Sequence, residues 1–159
     1  MQEEKIMDYI TCKLAQDDDI ENLTNISTNA FHSDYEVGAP NKTGGPPGYN
    51  SQIFHRKMLK SSKAFYKILD KDRIVGGFFI FLKSETHMEL TRIFIDPEYL
   101  RKGIGTRSIK YLFNKYSQIE KWTLDTPKWN VRTATFYKKM GFQIENENND
   151  FYYYSKHLD

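Results

Sequence analysis

A β-branched and aromatic run, Ile93-Phe94-Ile95, breaks at Asp96-Pro97 and gives way to Arg101-Lys102-Gly103-Ile104-Gly105-Thr106. That order sets the start of a helix beside a strand end, where the first N–H groups have no carbonyl partner of their own. Gly103 and Gly105 carry no side chain to shield those donors, and Arg101 and Lys102 add charge to the positive end of the helix dipole. The chemistry on offer is capture of an anion, with phosphate the natural guest. A P-loop nucleotide hydrolase is set aside, because the frame Gly-x4-Gly-Lys-Ser/Thr that brings a lysine onto the phosphates is missing. Histidines at 32, 55, 87 and 157 and one cysteine show no metal-ligand spacing, so no metal is expected.

The elements that must hold this turn are legible around it. A chain of 159 residues has the length of one domain, expected to span 1–159 with 1–8 as a flexible arm, and it can bury a core without staples. With 23 Lys and Arg against 21 Asp and Glu, the formal charge of +2 makes no polyanion surface, and no nucleic-acid partner is expected. No apolar run reaches the length of a membrane span, so no membrane partner is expected. The lone Cys12, with no basic-then-apolar leader before it, points to a reducing cytoplasm. Tyr9–Leu14 reads as a strand. Asp17, Asp18 and Asp19 supply a cap and negative charge for a helix with the stripe Ile20, Leu23, Ile26 and Ala30. Gly38–Asn50 holds four of the nine glycines and three of the five prolines, which forbids regular structure and marks a long loop of the binding or lid kind.

A helix over Ser51–Lys60 precedes the strands Ala64–Leu69 and Ile74–Leu82. In the second, Val75, Phe79 and Phe81 alternate with Ile74, Phe78 and Ile80, so both faces are apolar and the sheet must be covered on both sides. The strand Met88–Ile95 leads into the glycine turn and a helix carrying Ile109, Leu112, Phe113 and Tyr116. A strand Trp122–Asp125 follows, then a helix with Thr133, Phe136, Tyr137 and Met140 stopped by Gly141, and closing strands Phe142–Ile144 and Phe151–His157. The fold class is α/β (α+β), a twisted, mostly antiparallel mixed sheet flanked by helices.

Two motifs, in order and at matching distance, make residues 9–157 resemble the GNAT family of N-acetyltransferases. The family's Gln/Arg-x-x-Gly-x-Gly/Ala, after a hydrophobic strand and an Asp-Pro-like break, is similar to Gly103-Ile104-Gly105 behind Ile93–Pro97. Leu100 stands where the family usually has Gln or Arg, with Arg101 one place later, so the backbone contacts carry over rather than that side chain. The second motif, a short strand, an Asn, then Phe-Tyr-x-x-x-Gly-Phe, resembles Trp122–Asp125, Asn130 and Phe136–Phe142. The resemblance implies the acyl-CoA N-acyltransferase fold and acetyl transfer from acetyl-coenzyme A to an amine in a ternary complex. It implies a pyrophosphate on the amides of Arg101, Lys102, Gly103, Ile104, Gly105 and Thr106, and a pantetheine arm along Ile93, Phe94 and Ile95. An N–H near Phe94 or Ile95 would hold the oxyanion, Asn130 would cap its helix and touch the arm, and Tyr137 would protonate the departing thiolate.

Attack on the thioester needs a neutral amine, so a base must take a proton from the substrate ammonium. Glu89, where some members keep a glutamate base, is the first choice through a water, and its spacing from Ile93 suggests the same face. Asp125, closing the next strand, is the rival, and a splay between the two strands would aim both at one cavity. For the acceptor, Phe31, Asp34, Tyr35 and Glu36 precede the loop, Tyr49 ends it, and Trp129 follows Asp125. Carboxylates beside aromatic faces suit a small or polyamine-like cation, and a protein N-terminus fits equally. Cys12 stands far from the motifs, which disfavours a covalent acetyl-cysteine. The competing class is a module that binds acyl-coenzyme A without chemistry; Leu100 is its opening, and Tyr137 with two carboxylates is the counterweight. A homodimer is left open.

Overall fold

The computed structural model describes residues 9–158, and the expected arm over 1–8 lies outside the described residues. Seven strands form one sheet: β1 (Ile10–Leu14), β2 (Ala64–Asp70), β3 (Arg73–Ser84), β4 (His87–Ile95), β5 (Lys121–Pro127), β6 (Gln143–Glu147) and β7 (Phe151–His157). Their spatial order is β1-β2-β3-β4-β5-β7-β6, antiparallel at every joint except β4–β5, which is parallel. Four α-helices accompany them: α1 (Ile20–His32), α2 (Gln52–Ser61), α3 (Ile104–Lys115) and α4 (Val131–Lys139). None of the helices among the described residues is long and apolar enough to cross a membrane.

Both sheet faces are covered, as the apolar pattern of β3 requires. On one face, Ile104, Ile109 and Leu112 of α3 and Tyr137 of α4 pack on Val75, Phe78, Ile80, Met88 and Leu90. On the other, Leu23 and Ile26 of α1, with Phe54 and Met58 of α2, pack on Phe65, Phe79 and Phe94. Each such side chain fully withdrawn from water contributes roughly 1.5–3 kcal/mol. The grouping along β3 differs from simple alternation: Val75 joins Phe78 and Ile80, whereas Ile74 sits with Phe79 and Phe81. The reason is a β-bulge. Leu69 pairs with Ile74 and Ile68 with Gly76, so Val75 is an extra residue that inverts the face of everything before it.

The aspartates before α1 also act differently from a direct helix cap. They form a 3-10 turn, Asp17–Asp19, in which the Asp19 carboxylate accepts from the Gln16 N–H at 2.8 Å and from Lys67 Nζ at 2.9 Å. Residues 38–51 contain no helix or strand. The loop is nevertheless anchored: Ser27 Oγ donates to the Tyr49 carbonyl at 2.8 Å, and the Tyr49 hydroxyl lies 2.9 Å from His32 Nε2.

Candidate active site

The glycine turn folds as its residue types require. Asp96 accepts from the Glu98 N–H through its side chain, a short 3-10 turn covers Pro97–Tyr99, and α3 starts at Ile104. Arg101 (φ 65°) and Gly103 (φ 78°) are both left-handed, which curls the backbone and turns successive N–H groups toward one side. Gly103 places no side-chain cap on the helix, and Arg107 is the residue whose N–H first finds a helical carbonyl, that of Gly103 at 3.0 Å. The donors of Ile104, Gly105 and Thr106 therefore face outward at the positive end of α3, with the exposed Arg101 and Lys102 beside them. Gly105 has a packing role in addition to an open approach: a Cβ there would stand 3.1 Å from Phe136 Cζ and 3.6 Å from Ile95 Cδ1. Its hydrogen lets α3 close onto α4 and the end of β4.

Beyond this cradle the sheet opens. β4 and β5 pair only through His87↔Lys121, Met88↔Trp122 and Glu89↔Thr123, and from there the two strands part. Ile93, Phe94 and Ile95 thus keep a backbone edge that β5 does not occupy, leading to the start of α3, and an extended amide-bearing chain can pair with such an edge. The expected splay between the strands is present.

The same strand carries a second bulge, which corrects the placement of Glu89. Ile80 pairs with Leu90 and Phe79 with Arg92, so Thr91 is the extra residue of β4. Parity inverts across it: Glu89 lies opposite Phe81 and shares its face with Arg92 and Phe94, whereas Ile93 packs with the α3 and α4 side. Glu89 and Ile93 are therefore on opposite faces. On β5, Trp122 and Leu124 take the α3 side, which leaves Thr123 and Asp125 on the face of Glu89.

A cavity of about 420 Å³ opens on that face, lined by His87 and Glu89 of β4, Lys121, Thr123, Leu124 and Asp125 of β5, and Glu145, Asn146, Tyr153 and Tyr154 of β6 and β7. Three carboxylates against one lysine make its wall anionic. Glu89 accepts from the Thr91 hydroxyl at 3.0 Å and lies 3.9 Å from Lys83 Nζ, and Glu145 pairs with Lys121 at 3.1 Å. Partial loss of water pushes the Asp125 carboxyl above its ordinary range although the residue sits at the exposed rim; the charge of Glu89 pushes the same way, and Arg92 opposes both. Tyr137 is buried in an aromatic cluster with Phe142 and Tyr154, and its hydroxyl is driven up by that burial and then by Asp125. Asp125 is thus coupled to Glu89 on one side and to Tyr137 on the other. His87 Nε2 lies 2.8 Å from Thr123 Oγ1, and burial with the nearby Lys121 and Lys83 pushes its pKa down.

The profile of the acetyltransferase (GNAT) family matches residues 23–142, a stretch that contains the cradle, the splay, Asp125, Asn130 and Tyr137. The chain belongs to the GNAT family. Among curated proteins none matches by sequence. Its fold is shared with the PaiA N-acetyltransferase of Thermoplasma acidophilum, solved with coenzyme A: 18% identity, 94% of this chain and 99% of that chain covered, TM-score 0.77. A ribosomal-protein alanine N-acetyltransferase of Escherichia coli superposes with TM-score 0.71 at 11% identity, with 94% of each chain covered. The spermidine/spermine N-acetyltransferase SpeG of Vibrio cholerae does so with TM-score 0.69 at 14% identity, again over 94% of each chain.

In this GNAT chain the remaining site residues fall into separate groups. Asn130 is buried and caps α4, its amide oxygen accepting from the Thr133 N–H at 3.1 Å. Phe31 and Tyr49 meet edge to face, 6.1 Å between centroids, on the α1–α2 side of the cleft. Asp34 is not open to a ligand amine in this structure, because Arg132 Nη2 donates to its Oδ1 at 2.7 Å, and this pair ties the segment after α1 to the first turn of α4. Trp129 lies beside that tie, its carbonyl 3.2 Å from where a Cβ on Gly38 would stand, while Tyr35 and Glu36 face solvent. Cys12 is nearer the helical motif than sequence distance suggests, with Ser108 and Arg107 of α3 beside its thiol. Burial pushes its thiol up to about 11. Sequence reasoning missed Arg92 and the Asp34–Arg132 pair. A charge directly before the apolar run Ile93–Ile95 was the available signal for Arg92, but nothing local links residues 98 positions apart.

Proposed function

We propose that this chain transfers the acetyl group of acetyl-coenzyme A to a primary amine, by direct attack within a ternary complex. The observation that carries the reading is the opening between β4 and β5, with Glu89 and Asp125 lining one cavity on its face, next to a helix start whose first N–H groups have no helical acceptor. The donor set fits coenzyme A: unpaired amides and two cations for the pyrophosphate, an open strand edge for the arm. The thioester, when bound, supplies the activated acetyl group. Arg101 to Thr106 hold phosphate oxygens, Ile93 to Ile95 offer alternate N–H and C=O groups to an extended arm, and Asn130 sets the start of α4.

Asp125 takes the proton from the acceptor ammonium. A carboxyl held above its usual range is the better base, and Glu89 contributes by its charge and by drawing the cation in. Tyr137 returns a proton to the departing sulfur, a task that suits a phenol kept protonated by burial. Cys12 stays a thiol near neutral pH and takes no acetyl group. The anionic cavity suits a cationic acceptor, a small amine or a peptide N-terminus, and the lone cysteine suits a reducing cytoplasm. The test is release of free coenzyme A from acetyl-coenzyme A across small amines, polyamines, amino acids and peptides, with cofactor binding followed in parallel. Acceptor-dependent release is the expected result; cofactor binding without release for every amine would reject the enzyme reading.

A further inference from the structure

Arg92 sits in the middle of β4, opposite Phe79, on the face that carries Glu89 and Asp125. Its guanidinium lies over three rings: Phe54 at 4.9 Å, Phe79 at 5.6 Å and Phe31 at 6.0 Å. Those rings supply cation–π attraction but no hydrogen-bond acceptor. Nη1 is buried without a partner, and among the described residues the side chain makes no hydrogen bond or ion pair within contact distance. Other arginines of the chain are placed differently: Arg132 grips Asp34 at 2.7 Å, Arg107 donates to the Ile10 carbonyl at 3.3 Å, and Arg73 lies 3.9 Å from Asp96. Burial pushes the Arg92 guanidinium down to about 10, and the charge of Asp125 opposes that shift.

A half-buried guanidinium with a planar fork of donors and no oxygen to receive them is costly unless something brings the oxygen. The ligand that matches the fork is a carboxylate, held by two parallel N–H···O bonds. The Thr91 bulge places this cation on the same face as the two carboxylates, beside the cavity they line and not in its wall, so that face carries opposite charges near each other. Its complement is a molecule that carries an ammonium and a carboxylate together.

We propose that Arg92 is the residue that selects the acceptor, by binding a carboxylate attached to the amine that is acetylated, so that the acceptor is a free amino acid and not a polyamine. The ammonium then lies toward Asp125 and Glu89 and the carboxylate toward the Phe31, Phe54 and Phe79 cage. This deepens the N-acetyltransferase reading and rests on it for the chemistry, though not for the binding.

The test compares free amino acids with their C-terminal amides and with the decarboxylated amines of the same side chains, as acceptors for wild type, Arg92→Met and Arg92→Lys. Wild type should prefer the amino acid in kcat/KM by on the order of 10- to 100-fold, the range for charge-assisted hydrogen bonds. In Arg92→Met that ratio should fall toward one, through KM, and Arg92→Lys should restore part of it. A purely structural role would lower all acceptors alike and leave the ratio intact, which would overturn the proposal. Calorimetric binding of the same molecules to the protein loaded with coenzyme A gives the reading without turnover. Carboxylate-dependent binding that Arg92→Met removes supports the site even if no amine is acetylated, in which case the enzyme reading fails alone. Folded wild type that binds amino acid and amine equally would sink the Arg92 assignment whatever the activity.

Discussion

Replacing Glu89 with Gln removes one negative charge from the face of Asp125 and leaves the side chain almost unchanged in size. Glu89 pairs with Thr123 on the last rung of the β4–β5 ladder, and Asp125 follows two places on where the strands part, so roughly the 7–8 Å of a diagonal pair is a lower bound on their separation. At that distance a unit charge acts with about 2 kcal/mol in an effective dielectric near 20 and about 0.5 kcal/mol in water, equivalent to roughly 1.5 and 0.4 pH units. Asp125 lies at the open rim, so the lower part of that range applies, about 0.5. The sign follows from the electrostatics: Glu89 disfavours the ionised form of Asp125 and raises its pKa, so Glu89→Gln lets Asp125 ionise at lower pH. The acid limb of the kcat/KM profile should therefore move down by about 0.5 pH unit, with activity on the acid side of the optimum rising relative to wild type. Asp125→Asn should remove the limb and most of the turnover. The assay is coenzyme A release against pH in buffers of constant ionic strength. A limb that stays in Asp125→Asn and vanishes in Glu89→Gln would refute the reasoning and make Glu89 the base.

Tyr137→Phe keeps the aromatic packing against Phe142 and Tyr154 and deletes the acid, so kcat should fall by about 10²-fold while coenzyme A affinity by calorimetry changes little. Cys12→Ala should retain turnover, and the wild-type thiol should alkylate slowly at neutral pH, because burial holds it up to about 11. Arg132→Ala should destabilise more than Asp34→Asn in urea unfolding, by about 2–3 kcal/mol against about 1. The asymmetry arises because the first leaves a buried carboxylate alone, with 12% of its side chain exposed, and the second leaves a guanidinium that water already reaches; equal losses would contradict it.

The residue types settled much of this protein before any tertiary contact. Ile93 to Thr106 could only be a strand end, a break and an uncapped helix start, since Pro97 and the glycines leave few backbone conformations. Asn130 through Phe142 likewise announced a capped helix ended by a left-handed glycine, Gly141 at φ 95°. Helical and strand periods revealed the element order and a sheet buried on both faces, because burial of apolar side chains has to repeat with the backbone. What periodicity cannot see is an inserted residue. The bulges at Val75 and Thr91 reverse the faces of their strands, and the second brings Arg92 to Glu89 where simple alternation separates them. Such bulges are decided by pairing with neighbouring strands, Ile68–Leu69 and Phe79–Ile80, and not by the strand that carries them. The union of Asp34 with Arg132 and the coupling of Asp125 to both Glu89 and Tyr137 have the same origin. Local chemistry chose the parts, and register between distant strands decided which charges meet across the opening of the sheet.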